Sequence, residues 1–219
     1  QKNTIKTKLN RKKQMKKLVI LGGRGIGMIA ASVAQDLGTY EMLGFLNDFV
    51  PIGDTVGVYK KHKVIGRSED VAKFLEDEDV YFFIGYIGMK NEKEVFEKIS
   101  NLNIPRSRFA TLIHPTAIIP RGYCSIGNGV LISPLAQLSP DTTIEDNCIL
   151  LPNSFLGHDS TMKKFSHITA NSVVGGNVTL GRGAHVGTNA TIRENVTIGE
   201  FAIIGSGSVV LKDVPSNSI

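Results

Sequence analysis

Apolar positions along the chain follow two different periods, and the second sets in at Ile126. Between residues 16 and 112, short apolar runs alternate with helical stretches, which predicts a small Rossmann-like parallel sheet with crossover helices. Residues 17–21 read as a strand, 22–27 as a glycine turn, 26–37 as a helix and 41–46 as a second strand. Ser68 is expected to cap a helix running to residue 75, with Glu69 and Asp70 at its positive end. A third strand is expected at 81–84, a third helix at 91–100 with apolar residues at Val95, Phe96 and Ile99, and a fourth strand at 109–113. Residues 47–63 show no readable period.

From Ile126 the period is six. An aliphatic residue returns at every sixth position for fifteen repeats, from Ile126 through Leu138, Leu150, Met162, Val174 and Val186 to Val210. Four residues after each comes a small or β-branched one, such as Val130, Cys148, Ser160 and Ala184. Both positions must point inward, where a narrow coil has room for one aliphatic stack and one small residue per side. A helix of 3.6 residues per turn cannot hold that register, so the prediction is a parallel β-helix of hexapeptide repeats. Three repeats make a coil of eighteen residues, and residues 126–215 give five coils. Glycine often follows the aliphatic position, as at Gly157, Gly175 and Gly187, where the chain is expected to turn a corner without a Cβ clash. The expected plan is a basic arm or upstream segment at 1–15, an α/β domain at 16–112 and a β-helix at 113–219.

Charge changes the picture only at the N-terminus. Residues 1–17 carry eight Lys or Arg and no acid, and removing them turns the formal net charge of +5 into −3. The body is therefore mildly acidic and the arm has no aromatic residue for stacking, which argues against a nucleic-acid partner. Met15 has the look of a natural start. No apolar run approaches the length of a membrane span, and no signal-peptide core follows the basic start, so a cytoplasmic location is expected. Cys124 and Cys148 offer neither a disulfide framework nor a Cys–x–x–Cys pair.

The eighteen-residue coil converts sequence into geometry, because any residue lies one rung above the one numbered eighteen lower. His158 occupies the third position of its repeat and Gly176 the same position one coil later. His167 and His185 stack likewise at the sixth position. None of the three histidines is at an inward site. Asp159 is placed to orient the His158 imidazole, as a third group orients a catalytic base. The alternative is a ladder of exposed surface histidines, which is the favoured reading for His185.

The runs Gly157-His158-Asp159, Phe165-Ser166-His167 and Gly175-Gly176-Asn177-Val178 resemble the sugar acetyltransferases of bacterial glycan synthesis, the PglD/NeuD family. The resemblance covers nearly the whole chain. It implies a nucleotide-binding α/β domain followed by a left-handed β-helix, a homotrimer, and acetyl-coenzyme A in the groove between neighbouring helices. It implies His158 as general base, Asp159 as its acidic support, and His167 as a second histidine near the acetyl group. Gly176 matches the glycine whose N–H meets the thioester oxygen, and Gly187 and His185 are further acetyl-coenzyme A-binding candidates. An imidazole with an ordinary pKa near ~6.5 suits proton removal from an attacking amine. His158 and His167 are half a coil apart, so only a neighbouring subunit brings both to one substrate.

Gly22-Gly23-Arg24-Gly25-Ile26-Gly27 lies between a strand and a helix, where N–H groups can cradle phosphate. Its spacing is not the dinucleotide fingerprint, which argues against a dehydrogenase; a plain tight turn is the alternative. The resemblance implies a nucleotide-sugar site at Gly23, Arg24 and Gly25, at Asn47 and Asp48, and at Gly85. Arg24 stands where relatives have a small residue, and Tyr86 is either a base-stacking or a structural aromatic. Relatives also continue past the position of Ile219 into a tail that helps enclose coenzyme A. The expected reaction is N-acetylation of a nucleotide-linked 4-amino-4,6-dideoxy sugar, without a metal. The rivals are O-acetylation of a sugar such as sialic acid, a non-catalytic nucleotide-sugar sensor, and a trimeric zinc enzyme of the carbonic-anhydrase type. The histidine spacings of nine and eighteen fit the zinc enzyme poorly.

Overall fold

The computed structural model describes the backbone of residues 15–86 and 92–219, so the basic arm before Met15 and Asn91 lie outside the described residues. The α/β half runs β1 (Lys16–Leu21), α1 (Ile26–Leu37), β2 (Tyr40–Leu46), β3 (Thr55–Val56), β4 (His62–Gly66), α2 (Val71–Leu75), β5 (Val80–Ile84) and α3 (Glu92–Asn101). Its sheet has the order β3-β4-β2-β1-β5. Leu18, Val19, Ile20 and Leu21 are fully buried, the unbroken apolar run of a central strand covered on both faces. β3 pairs antiparallel with β4, so the sheet is mixed rather than purely parallel. Those two strands occupy part of the stretch without a readable period, because a two-residue pairing is too short to show one.

Two further expectations change. Ser68 does not cap the second helix. A 3₁₀ turn at Ser68–Asp70 precedes α2, and the Arg67 N–H donates to Asp70 Oδ2 at 2.8 Å. Ser68 is instead buried against Asp48. The expected fourth strand does not join the α/β sheet either: Phe109 makes a single bridge to Phe82, and β6 (Leu112–Ile113) pairs with Leu131 and Ile132 of the β-helix. That pairing spans nineteen residues rather than eighteen, which is why the six-residue period becomes readable only later.

The second half is a left-handed parallel β-helix. Its three walls stack rungs in register, as in Thr143↔Thr161, Ile149↔His167 and Phe155↔Val173, each pair eighteen apart. The aliphatic and small positions fill the interior: Leu150, Leu156, Met162, Ile168 and Val174 are fully buried, as are Ser154, Ser160 and Ser166. The corners are not made where expected. The left-handed turn residue is the fourth of each repeat, at Asn147, Asn153, Asp159, Asn171, Asn177, Asn189 and Asn195, with φ between 54° and 60°. Asn and Asp tolerate that region through local side-chain hydrogen bonds. The second-position glycines are required for closeness instead: a Cβ on Gly157 would lie 2.5 Å from the Gly175 carbonyl carbon.

The two halves share packing. Leu131, Ile149 and Phe165 of the β-helix belong to the same buried cluster as β1, β5 and α1. Phe96 of α3 meets Phe165 edge-on with centroids 5.3 Å apart, and the Arg182 guanidinium lies 5.2 Å from the Phe96 ring. Arg106 grips Asp146 through two hydrogen bonds of 2.6 and 2.8 Å, and Asp146 also accepts the Asn128 N–H. Asp146→Ala strips both donors of their acceptor, and a stability loss of about 1–3 kcal/mol is expected from the denaturation midpoint.

Candidate active site and nucleotide pocket

The His158 corner follows the strand Phe155–Leu156 on the outside of the coil, with the side chain about two-thirds exposed. Asp159 takes the left-handed turn conformation, which swings its carboxylate back to the preceding residue, and His158 Nδ1 lies 2.7 Å from Asp159 Oδ2. Against an ionised carboxylate Nδ1 must carry the proton, which leaves the Nε2 lone pair free to accept one. Gly176 stands directly over the ring: a Cβ there would fall 2.7 Å from His158 Cε1 and Nε2. The stacking is locked by the Asn177 N–H, which donates to the His158 carbonyl at 2.7 Å. Among the described residues no backbone acceptor takes the Gly176 N–H. Gly157 keeps it uncovered, since a Cβ on Gly157 would sit 2.6 Å from that nitrogen.

His167 and His185 are not with His158. They occupy consecutive rungs of the wall above Ile149, in register, with ring centroids 5.8 Å apart. His185, favoured as an exposed surface residue, is buried together with His167, at 7% and 5% exposure, and the lower-rung residues Leu131 and Ile149 of the same wall belong to the core cluster of the α/β domain. Among the described residues His167 Nε2 and His185 Nδ1 are buried without a hydrogen-bond partner. Gly187 follows on the same coil, where a Cβ would meet the Ile204 carbonyl at 2.5 Å. Among the described residues no three metal-ligating side chains converge.

Burial pushes the His167 imidazole down to about 3, with the neighbouring His185 adding to the shift, and burial lowers His185 as well. A histidine kept neutral when folded takes up its proton on unfolding below about pH 6.5. Stability is therefore complete above that value and drains away as pH falls toward 3, by up to about 1.4 kcal/mol per unit for His167. His167→Asn should flatten this acid slope, read from urea unfolding at stepped pH.

The second site lies at the carboxyl ends of β1, β2 and β5, the crevice where open α/β sheets bind ligands. A cavity of about 620 Å³ is lined there by Gly23, Arg24, Asn47, Asp48, Gly85 and Tyr86, with Ser68, Phe49, Val95 and Lys98 beside them. Gly25 is outside the lining; it is the N-cap of α1 at φ 50°, a conformation that suits glycine. Among the described residues the N–H groups of Gly23, Arg24 and Gly25 have no backbone acceptor, so the positive end of α1 opens into the crevice. Gly85 and Gly27 are pressed together, a Cβ on Gly85 falling 2.5 Å from Gly27 Cα. Asn47 Oδ1 is already engaged by the Phe49 and Val50 N–H groups. Tyr86 is mostly buried, its hydroxyl has no hydrogen-bond partner among the described residues, and burial raises its pKa.

Asp48 accepts from the Ser68 N–H at 2.8 Å, the Ser68 hydroxyl at 2.9 Å and Lys98 Nζ. Burial disfavours its charge, yet these bonds outweigh that and hold the carboxyl below the usual range. Ser68 and Lys98 were not legible as lining residues: Ser68 opens the 3₁₀ turn and Lys98 lies within α3, and where their side chains reach depends on how those elements pack.

The PglD N-terminal domain family matches residues 17–99, and the bacterial transferase hexapeptide family, in six repeats, matches 123–158 and 177–212. The chain belongs to the PglD/NeuD family of hexapeptide-repeat acyltransferases. Among solved relatives of PglD/NeuD type, the acetyltransferase domain of PglB from Neisseria gonorrhoeae FA1090 is 27% identical, with a TM-score of 0.79 over 91% of this chain and 93% of that one. The same domain in complex with acetyl coenzyme A is 26% identical, with a TM-score of 0.79 over 92% and 93%. PerB from Caulobacter crescentus, in complex with CoA and GDP-perosamine, shares the fold at 21% identity, with a TM-score of 0.76 over 91% of each chain. No curated protein matches the sequence significantly.

Proposed function

We propose that this PglD/NeuD-type chain transfers the acetyl group of acetyl-coenzyme A to the 4-amino group of a nucleotide-linked 4-amino-4,6-dideoxy sugar. The observation that carries the reading is the His158–Gly176 stack: a base with its Nε2 lone pair free sits one rung below an uncapped N–H. The amine nitrogen attacks the thioester carbonyl and forms the C–N bond while His158 Nε2 takes its proton. The oxyanion is met by the Gly176 N–H. The C–S bond then breaks and the thiolate of coenzyme A leaves with the proton from His158. A thioester is already a good acyl donor, so positioning, proton removal and oxyanion stabilisation suffice.

The acetyl-coenzyme A complex of the similar PglB domain supports the donor. The crevice at the α1 terminus, with Asp48 opposite, supports a nucleotide handle on the acceptor. His158 and His167 stand on different walls, which favours a homotrimer with the active site between neighbours and Gly176 and Gly187 along the coenzyme groove; His167 and His185, buried in their own chain, would have to be uncovered before either reached a neighbour's substrate. No described helix is long and apolar enough to cross a membrane; we place the enzyme in the cytoplasm with its nucleotide substrates. The test incubates the protein with acetyl-coenzyme A and UDP-, GDP- and dTDP-linked 4-amino sugars, following free thiol release. No thiol release with any amino sugar, or transfer to hydroxyl sugars alone, overturns the reading. Sedimentation analysis tests the trimer.

A further inference from the structure

Asp48 stands at the end of β2, where a nucleoside would be read, yet its carboxylate is nearly filled. A carboxylate offers about four acceptor sites. The Ser68 N–H and hydroxyl occupy one on each oxygen, and Lys98 Nζ takes another on Oδ2. One of these donors differs from the rest. Ser68 is buried and fixed to the backbone, whereas Lys98 reaches in from α3 on a flexible stem and is about half exposed. The same ammonium lies 5.2 Å from the Tyr86 ring centroid, and Tyr86 Cβ packs against Gly22 at the root of the glycine turn. Lys98 thus holds the carboxylate within the same cavity that Gly23 and Arg24 line.

We infer that Lys98 is an exchangeable latch: it holds Asp48 until the diphosphate of an entering nucleotide draws it away, freeing Asp48 for the nucleoside. This inference rests on the nucleotide reading of the crevice. The exchange replaces one charge-assisted hydrogen bond by another, so it costs little with a diphosphate present. A nucleoside without phosphate must displace Lys98 with nothing to receive it. The crevice therefore discriminates against bare nucleosides by more than the lost phosphate contacts.

The test is calorimetric binding of UDP, GDP and dTDP, and of uridine, guanosine and thymidine, to the full chain and to Lys98→Met, with Arg24→Met as a comparison for a cation outside the latch. The expected result has two signs. Lys98→Met weakens the best-bound diphosphate by about ten- to hundredfold and binds the matching nucleoside more tightly than the unaltered chain, and an unchanged nucleoside affinity overturns the inference. Arg24→Met weakens the diphosphate without improving the nucleoside. A parallel loss of both ligands in Lys98→Met overturns the inference, since it makes Lys98 only a brace for Asp48; so does unchanged diphosphate binding. If the unaltered chain binds none of the three diphosphates, it is the nucleotide reading itself that fails.

Discussion

Replacing His158 by alanine is expected to lower the rate of acetyl transfer by about 10²–10⁴ and to leave binding of acetyl-coenzyme A and of nucleoside diphosphates unchanged. The side chain lies outside the coil and about two-thirds exposed, so its removal opens no cavity and disturbs no rung. The backbone bond that locks the stack uses the His158 carbonyl, which alanine retains. The loss falls on turnover alone, because the imidazole acts only when the amine surrenders its proton. His158→Gln, similar in reach but unable to accept and release a proton near neutral pH, should be as inactive as alanine. Steady-state thiol release with both substrates saturating decides it; a loss below tenfold would remove His158 from the base role.

Gly176→Ala is expected to be nearly as damaging although the added group is one methyl. Its Cβ would fall 2.7 Å from two atoms of the His158 ring, closer than any real contact allows, and the ring is the mobile partner. The imidazole is pushed off the reacting centre, and a displacement of about 1 Å can cost about 10²-fold in rate. The residue is not in the left-handed region, so alanine is tolerated by the backbone and the melting temperature should change little. Combining the two substitutions should add almost nothing to His158→Ala alone, since the methyl acts by displacing a ring that is then absent. An additive double variant would show that Gly176 acts independently of His158.

Much of this arrangement was legible in the sequence. Strict recurrence of aliphatic residues from Ile126 to Val210 fixes which residues share a rung, and with it the placement of Gly176 over His158. Local period also revealed β1, α1, β2 and most of β5. What it did not reveal depends on contacts between distant parts of the chain. His167 and His185 are buried although they point outward from the coil, and a period of six is silent about what covers a wall. Likewise Ser68 carried the usual signature of a helix cap, but Asp48, twenty residues away, claims both of its donors. The corner residues were misread for a different reason. Glycine is conspicuous in a sequence, whereas the Asn and Asp that adopt the turn conformation are common on any polar surface.

One helix of ten residues, α3, touches both the α/β crevice and the β-helix. Val95 and Lys98 line the crevice at the carboxyl ends of β1, β2 and β5, while Phe96 is wedged on Phe165, two residues before His167. A short rigid rod cannot adjust at one side without being felt at the other. The lining of the crevice and the setting of the neighbouring β-helix corner therefore share a single mechanical part, so a substitution on one face of α3 is expected to be felt on the other.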